Sequence, residues 1–498
     1  MRVAKRDKIL AIGLDACDLS LIQARASQLP VLAKLIKAKL FCHPAAPKAL
    51  TGSVWPTFYT GSHPGHHGIY QHIVWDAQKM GLRLIGPDWC AFRPFWADLE
   101  DRGRNVVVLD VPYTFPVFLK RGVEISDWGT HGQTRPLAAN RADVREFLRK
   151  FGPSPIGRET PVKKTPAQLA TIHKTLLEGV DRKRDLMLAL MKRFDWDVFI
   201  ATFGELHRGG HLFYDESDAL DGSLETPLLE IYRKIDRALT HILESLDLQR
   251  TTVIFFSVHG MMRDFGQNHL VKPLMDRFNR LFLKRHWGRD TPAAKTGGFV
   301  GRLRKVVPSR LQYAIGEFAP DRVRHWVVER EIIGGVDWSQ TPGFSLRTDV
   351  RAELRLNLVG RETRGILEPN SASSEAYVAS LHRAFLELRD SDTGDLLVDE
   401  LVPLQELFPG DRSHALPDFS ITWRPAPLAR HIVSPEIGEV EAAALGARGG
   451  DHTDFGFVSV APSAATESRL RAFAPVEYIW DLGTLITRLD ELAANEAG

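Results

Sequence analysis

The chain has 498 residues, 44% of them hydrophobic and 25% charged, with a formal net charge of +2. That length accommodates two or three average domains or one large α/β domain with insertions, and the near-neutral charge gives no argument for a nucleic-acid polymer or a membrane surface as partner. Cys17, Cys42 and Cys90 lack metal-ligand spacing and suggest a reduced compartment; with no apolar run long enough for a signal peptide or a transmembrane helix, a cytoplasmic globular protein is expected.

In chain order, Lys8 to Leu14 reads as a buried strand that breaks off at Asp15, with Asp18 one turn further on. Apolar runs that end at an acid suit the parallel strands of an α/β sheet, and catalytic groups gather beyond the carboxyl ends of such strands. Asp15 therefore stands where a metal-binding carboxylate would stand, or else caps the helix expected near Leu19. Leu29 to Leu40 shows the spacing of an amphipathic helix.

The stretch Leu50 to Tyr70, L-T-G-S-V-W-P-T-F-Y-T-G-S-H-P-G-H-H-G-I-Y, carries two hydroxyls, Thr51 and Ser53, around a glycine, then Thr60-Gly61, Pro64-Gly65 and His67-Gly68 as punctuation. A hydroxyl just ahead of a helix is either a cap or a nucleophile placed where free N–H groups stabilise an anion. Further strands are expected at Asn105 to Val111, Asp197 to Phe203, Thr251 to Phe256 and Phe455 to Val460. A long helix is expected from Pro166 to Arg193, after a polar, Pro/Gly-punctuated stretch from 134 to 159.

The strand ending at Phe203 runs into G-E-L-H-R-G-G-H, which puts His207 and His211 on one side of a helical turn, a common arrangement for zinc. The next strand runs into Ser257-Val258-His259-Gly260, and Arg448-Gly449-Gly450-Asp451-His452 precedes the last. Asp15, His207, His211, His259 and His452 thus all abut strand-like runs. Residues 275–345, rich in Arg and Lys and containing Trp287 and Trp326, read as a helical cap inserted into a core of 1–274 and 346–498. Its basic face is either solvated or steers an anionic substrate. Arg351 lies in the run that follows, and Arg355, Asn357 and the Gly360-Arg361 turn are candidates for binding an oxyanion. Asp390 to Pro409 reads as surface strand and turn, and Asp418 to Trp423 as a core strand.

This ordered set resembles the alkaline phosphatase superfamily, and within it the type I phosphodiesterase/nucleotide pyrophosphatase-like branch, over nearly the whole chain. The resemblance implies a mixed, mostly parallel α/β sheet flanked by helices, here with the helical cap insertion. It also implies that Thr51, ten residues before the Gly of Thr60-Gly61, is the nucleophile, with Ser53 as the fallback. The family's metal ligands map onto Asp15, His207, His211, His259 and His452. Two positions depart from the pattern: His207 stands for the acid of an Asp-x-x-x-His element, and Val258 for the acid of an Asp-His pair.

Loss of those oxygens weakens a hard divalent cation most. It leaves Asp15, Thr51 and His259 around a doubtful second metal, and His207, His211 and His452 as a three-histidine site suited to zinc, with manganese as the other possibility. Glu205 or Asp451 could compensate. The implied function is metal-dependent hydrolysis of a small anionic phosphoester, a diester or pyrophosphate. Sulfate-ester or phosphonate hydrolysis on the same scaffold stays open, as does a metal-poor relative that binds or transfers a group without hydrolysis.

Overall fold

The computed structural model describes residues 7–37, 39–44, 50–89, 92–129, 138–159, 162–214, 226–289, 307–347, 352–441, 449–464, 466–467 and 476–494. Its centre is an eight-stranded sheet. In chain order the strands are β1 (Lys8–Leu14), β2 (Lys39–Pro44), β3 (Val106–Leu109), β4 (Val123–Ser126), β5 (Ala138–Ala139), β6 (Val198–Phe203), β7 (Thr251–Ser257) and β8 (Phe455–Ala461). In space they run β2-β8-β7-β1-β6-β3-β4-β5. The five central strands from β7 to β4 are parallel, β8 runs antiparallel to both β7 and β2, and β5 is antiparallel to β4. This is the mixed, mostly parallel α/β sheet expected.

Strands β1 and β6 at the middle of the sheet place apolar side chains on both faces. Ile9 and Ala11 of β1 and Val198 and Ile200 of β6 join one hydrophobic cluster, while Leu10, Ile12, Leu14, Phe199, Ala201 and Phe203 join another on the opposite side. The period of two along each strand divides the side chains between the layers. A third cluster, away from the sheet, joins the helix Asn268–Trp287 to the helix Ala372–Leu386 and to a four-stranded antiparallel sheet. Phe419–Trp423, the strand expected near 418–423, belongs to that smaller sheet. Leu397, Val398 and Leu401 are buried in it too, so the stretch from 390 to 409 is partly core and not wholly surface. Among the described residues no helix is long and apolar enough to cross a membrane.

The helix expected over Leu29 to Leu40 is shorter. It spans Pro30–Ile36, and Leu40 lies in β2, paired with Ser459 of β8. The helical spacing of Leu40 is a coincidence that the edge-strand register overrides, since burial against a sheet outweighs local periodicity. The long helix runs from Pro166 to Arg193, as its spacing predicts, opened by a capping box in which Thr165 and Gln168 exchange hydrogen bonds. Cys17 is a buried free thiol, Cys90 lies outside the described residues, and so does the side chain of Cys42.

Two buried polar contacts hold this frame. Lys183, on the long helix, has no exposed side-chain surface and donates to Asp110 at the end of β3 and, at 3.0 Å, to the carbonyl of Thr202 at the end of β6. Asp110 also accepts the backbone N–H groups of Trp128 and Gly129, at 2.6 and 2.8 Å. In the Leu50–Tyr70 stretch, His67 accepts the Ile69 N–H at Nδ1 (3.0 Å), so the proton of its neutral ring sits on Nε2, which lies 3.1 Å from Thr57 Oγ1. Burial, reinforced by the neighbouring His63, His66 and Arg412, pushes the His67 pKa down to about 3.

Replacing Lys183 by Met would leave the Asp110 carboxylate buried without its counter-charge, so Lys183→Met should lower the unfolding free energy by about 3–5 kcal/mol, measured by urea denaturation. The folded His67 holds its proton more weakly than the unfolded chain does, so it adds stability above its ordinary value of 6.5 that is lost as pH falls toward about 3. His67→Asn should therefore make unfolding free energy less steeply dependent on pH between roughly 6 and 4. Identical slopes for variant and parent would remove His67 from that account.

Candidate metal centre and catalytic site

Asp15, His207, His211, His259 and His452 come together at one end of the sheet because β1, β6 and β7 finish level. Gly13 is in register with Thr202 on one side and Phe256 on the other, and Leu14 with Phe203. The next residues of each strand then project into the same space. Ser257 ties two of these ends together: its Oγ lies 2.7 Å from the carbonyls of Leu14 and His259 and accepts the Cys17 N–H at 3.0 Å. The chain reaches Cys17 by a left-handed residue, Ala16 (φ 58°), a conformation that costs a non-glycine residue about 1 kcal/mol or more and that the surrounding contacts hold. The helix that follows is capped by Asp18, whose carboxylate accepts the Ser20 N–H at 2.8 Å. Asp15 is thereby released from capping.

Asp15 is fully buried and its two oxygens face different partners. Oδ1 accepts the Trp55 indole N–H at 2.9 Å and lies 3.5 Å from His259 Nε2; Oδ2 lies 3.0 Å from His207 Nδ1. His207 and His211 share the helix Glu205–Phe213, four residues apart, and their Nε2 atoms are 3.0 Å apart. His211 Nδ1 lies 2.8 Å from the Gly450 carbonyl, so it donates there and presents Nε2 to the cluster, the orientation a metal-ligating histidine needs.

Gly450 opens a short strand, Gly450–His452, that pairs with Met261–Arg263, Met261 opposite His452. A β-carbon on Gly210 would meet Met261 at 2.4 Å, and one on Gly450 would meet the Gly210 carbonyl at 2.5 Å. The helix and this two-stranded ribbon approach closely because Gly450 has no side chain to meet the Gly210 carbonyl. The His259 and His452 rings stack with centroids 4.0 Å apart.

Two donor triads result, His207/His211/His452 and Asp15/His207/His259, the ligating atoms within each lying within 4.8 Å of one another. Several imidazoles and one carboxylate converging in a buried space suit a borderline divalent ion such as zinc. Among the described residues neither Glu205 nor Asp451 belongs to a triad. The Glu205 carboxyl is pushed up to about 7 by burial, partly opposed by Lys183; its side chain approaches Gly179 on the long helix. Asp451 accepts the His452 N–H at 2.7 Å. Val258 is wholly buried in an apolar cluster.

The Thr51 backbone begins a 3-10 turn, Thr51–Ser53, that runs into the helix Val54–Thr60; the side chain of Thr51 lies outside the described residues. The turn sits beside the centre because Trp55, one residue into that helix, reaches Asp15. A β-carbon on Gly13 would come within 3.0 Å of the Trp55 ring, and one on Gly52 would fall 2.3 Å from the Tyr70 carbonyl. Ser53 is buried, its hydroxyl donating to the Leu50 carbonyl at 2.7 Å. Thr60 donates to the Pro56 carbonyl, and Gly61, in the left-handed conformation (φ 63°), ends the helix.

The arginine candidates belong elsewhere. Arg355 donates to Glu362 and to the Leu416 and His414 carbonyls, Arg361 makes a two-pronged pair with Asp418, and Asn357 donates to the carbonyls of Trp338, Thr341 and Arg364. These donors serve the smaller sheet and its turns. Arg351 and Arg448 lie outside the described residues. Sequence reasoning overlooked Trp55 and Lys183. Lys183 had a signal: it falls in the apolar stripe Ile172, Leu176, Val180, Met187, Leu190 of its helix, where a cation demands a buried acid.

A profile described as type I phosphodiesterase/nucleotide pyrophosphatase matches residues 9–316. No curated protein matches the chain. Among solved structures, the phosphonoacetate hydrolase of Sinorhizobium meliloti 1021 in complex with phosphonoformate is similar at 13% identity, over 98% of this chain and 96% of that one, with a TM-score of 0.53. The same hydrolase in complex with phosphonoacetate gives 13% identity, the same coverage and a TM-score of 0.50. Those likenesses show a shared fold, and the profile covers well over half of the sequence, so the chain belongs to the type I phosphodiesterase/nucleotide pyrophosphatase family of the alkaline phosphatase superfamily.

Proposed function

We propose that the protein hydrolyses a phosphodiester or pyrophosphate with Thr51 as nucleophile and a divalent ion, zinc in preference to manganese, at the histidine-rich centre. The reading is carried by one observation: the Trp55–Asp15 hydrogen bond holds the turn that begins at Thr51 against a buried carboxylate flanked by His207 and His259, with His211 and His452 grouped on the far side of His207. An ion bound there lowers the pKa of a hydroxyl and offsets charge on phosphoryl oxygens. Asp15 and the histidines hold the donor set in place, and the absence of a side chain at Gly52 lets the turn close against Tyr70. Thr51 Oγ attacks phosphorus in line, the P–O bond to the leaving group breaks, and water then cleaves the resulting threonyl phosphodiester, releasing the phosphomonoester and restoring the hydroxyl. Burial of the centre excludes bulk water, while His207, its side chain 12% exposed, marks the approach from solvent. The same reading takes residues 275–345 as a cap, with the helix Asn268–Trp287 continuing into them from the core, and the free Cys17 thiol accords with a cytoplasmic setting.

Thr51→Ala should reduce turnover of bis(p-nitrophenyl) phosphate by roughly 10³-fold or more while leaving bound zinc unchanged. Ser53→Ala removes only a hydrogen bond to a local carbonyl, so it should cost about 1 kcal/mol of stability and little activity. Equal losses in the two variants, or a fully active Thr51→Ala enzyme, would sink the nucleophile assignment.

A further inference from the structure

Both donor triads contain His207, and they use opposite edges of its ring. Nδ1 faces Asp15 Oδ2 at 3.0 Å, and Nε2 faces His211 Nε2 at the same distance. A neutral imidazole has one lone pair to give, because its other nitrogen carries the proton. Whichever triad takes that lone pair, the other keeps two donors among the described side chains, Asp15 with His259, or His211 with His452, and Asp15 with His259 can gain only the Thr51 hydroxyl that the reaction itself engages. Two donors make a poor site for a borderline ion that asks for three or four.

Among the described side chains no further carboxylate or imidazole makes up the shortfall. Val258 is apolar and wholly buried, Glu205 lies toward Lys183 and Gly179, and Asp451 accepts the N–H of His452. Charge points the same way. Asp15 is the one carboxylate of the two triads, so a pair of divalent ions would leave most of their charge uncompensated in a buried space. One ion leaves a single excess positive charge.

We infer that the centre is a one-ion site in which two half-sets compete for a single imidazole. This rests on the metal-dependent reading of the same residues. The test is ion counting, by elemental analysis for zinc and by titration with Co²⁺ followed in the visible spectrum. The parent should saturate at one equivalent per chain. His259→Ala and His452→Ala each dismantle one half-set and leave the other with His207 intact, so each should still bind one ion, more weakly than the parent.

His207→Ala breaks both half-sets and should fall below one equivalent. His207→Gln, with melting temperature measured alongside, guards against a folding defect. Two equivalents in the parent and one in each of the His259 and His452 variants is the result of independent sites and would overturn the inference. It would leave the proposed hydrolysis standing. A parent that binds one ion yet cleaves no diester would do the reverse.

Discussion

A carboxylate with no solvent contact cannot be left to itself, and Asp15 is such a group. An isolated buried charge costs many kcal/mol, so the fold must bring partners to it or keep it neutral. Three elements answer that demand: the indole N–H of Trp55 from the helix Val54–Thr60, the imidazole of His207 from the helix Glu205–Phe213, and His259 from the end of β7. Much of the local geometry follows. Gly13 must lack a side chain for Trp55 to reach across β1, and Ala16 must adopt a left-handed conformation for the chain to turn away at once. The same constraint that satisfies the carboxylate assembles the donor set.

Behind this layer stands a second one. Lys183 joins the ends of β3 and β6 through Asp110 and the Thr202 carbonyl, just below the point where Glu205 opens the histidine-bearing helix. The position of His207 and His211 thus depends on a buried ion pair some way from either ring. Rigid support from behind is what keeps a polar cluster ordered in a low-dielectric setting, where a partly satisfied network would be worse than an apolar one. His67 does comparable service for the Leu50–Tyr70 stretch by holding Thr57 while its Nδ1 is taken by the Ile69 N–H.

The sheet was legible because its strands are buried on both faces: runs such as I-L-A-I-G-L and V-F-I-A-T-F have no other comfortable home. That Asp15, His207, His211 and His259 converge was legible for a related reason, since they follow strand ends that parallel pairing must bring level; His452 arrives instead from the strand Gly450–His452. What could not be read was sharing. Spacing and the family resemblance divided His207, His211 and His452 from Asp15 and His259, yet the ring of His207 stands between the two groups. Which edge of a ring faces which neighbour is set by tertiary packing, and a one-dimensional pattern carries no trace of it. The arginines misled for the opposite reason. Arg355 and Arg361 have the chemistry of oxyanion binders, but chemistry does not reveal that Glu362, Asp418 and nearby carbonyls reach them first. Leu40 shows a smaller version of the same lesson, a helical spacing annulled by its partner in β8.

The pairing of Gly450–His452 with Met261–Arg263 has a consequence for how the protein comes into being. On the ribosome, Asp15 and the turn at Thr51 emerge first, followed much later by His207, His211 and His259, and His452 last of all. Until that final strand arrives, His211 lacks the Gly450 carbonyl that orients it and His259 lacks the ring it stacks on. Contacts between positions so distant in sequence form slowly and late. On a nascent chain the His207/His211/His452 triad is therefore the last part of the centre to form, well after the Asp15/His207/His259 triad has all its members.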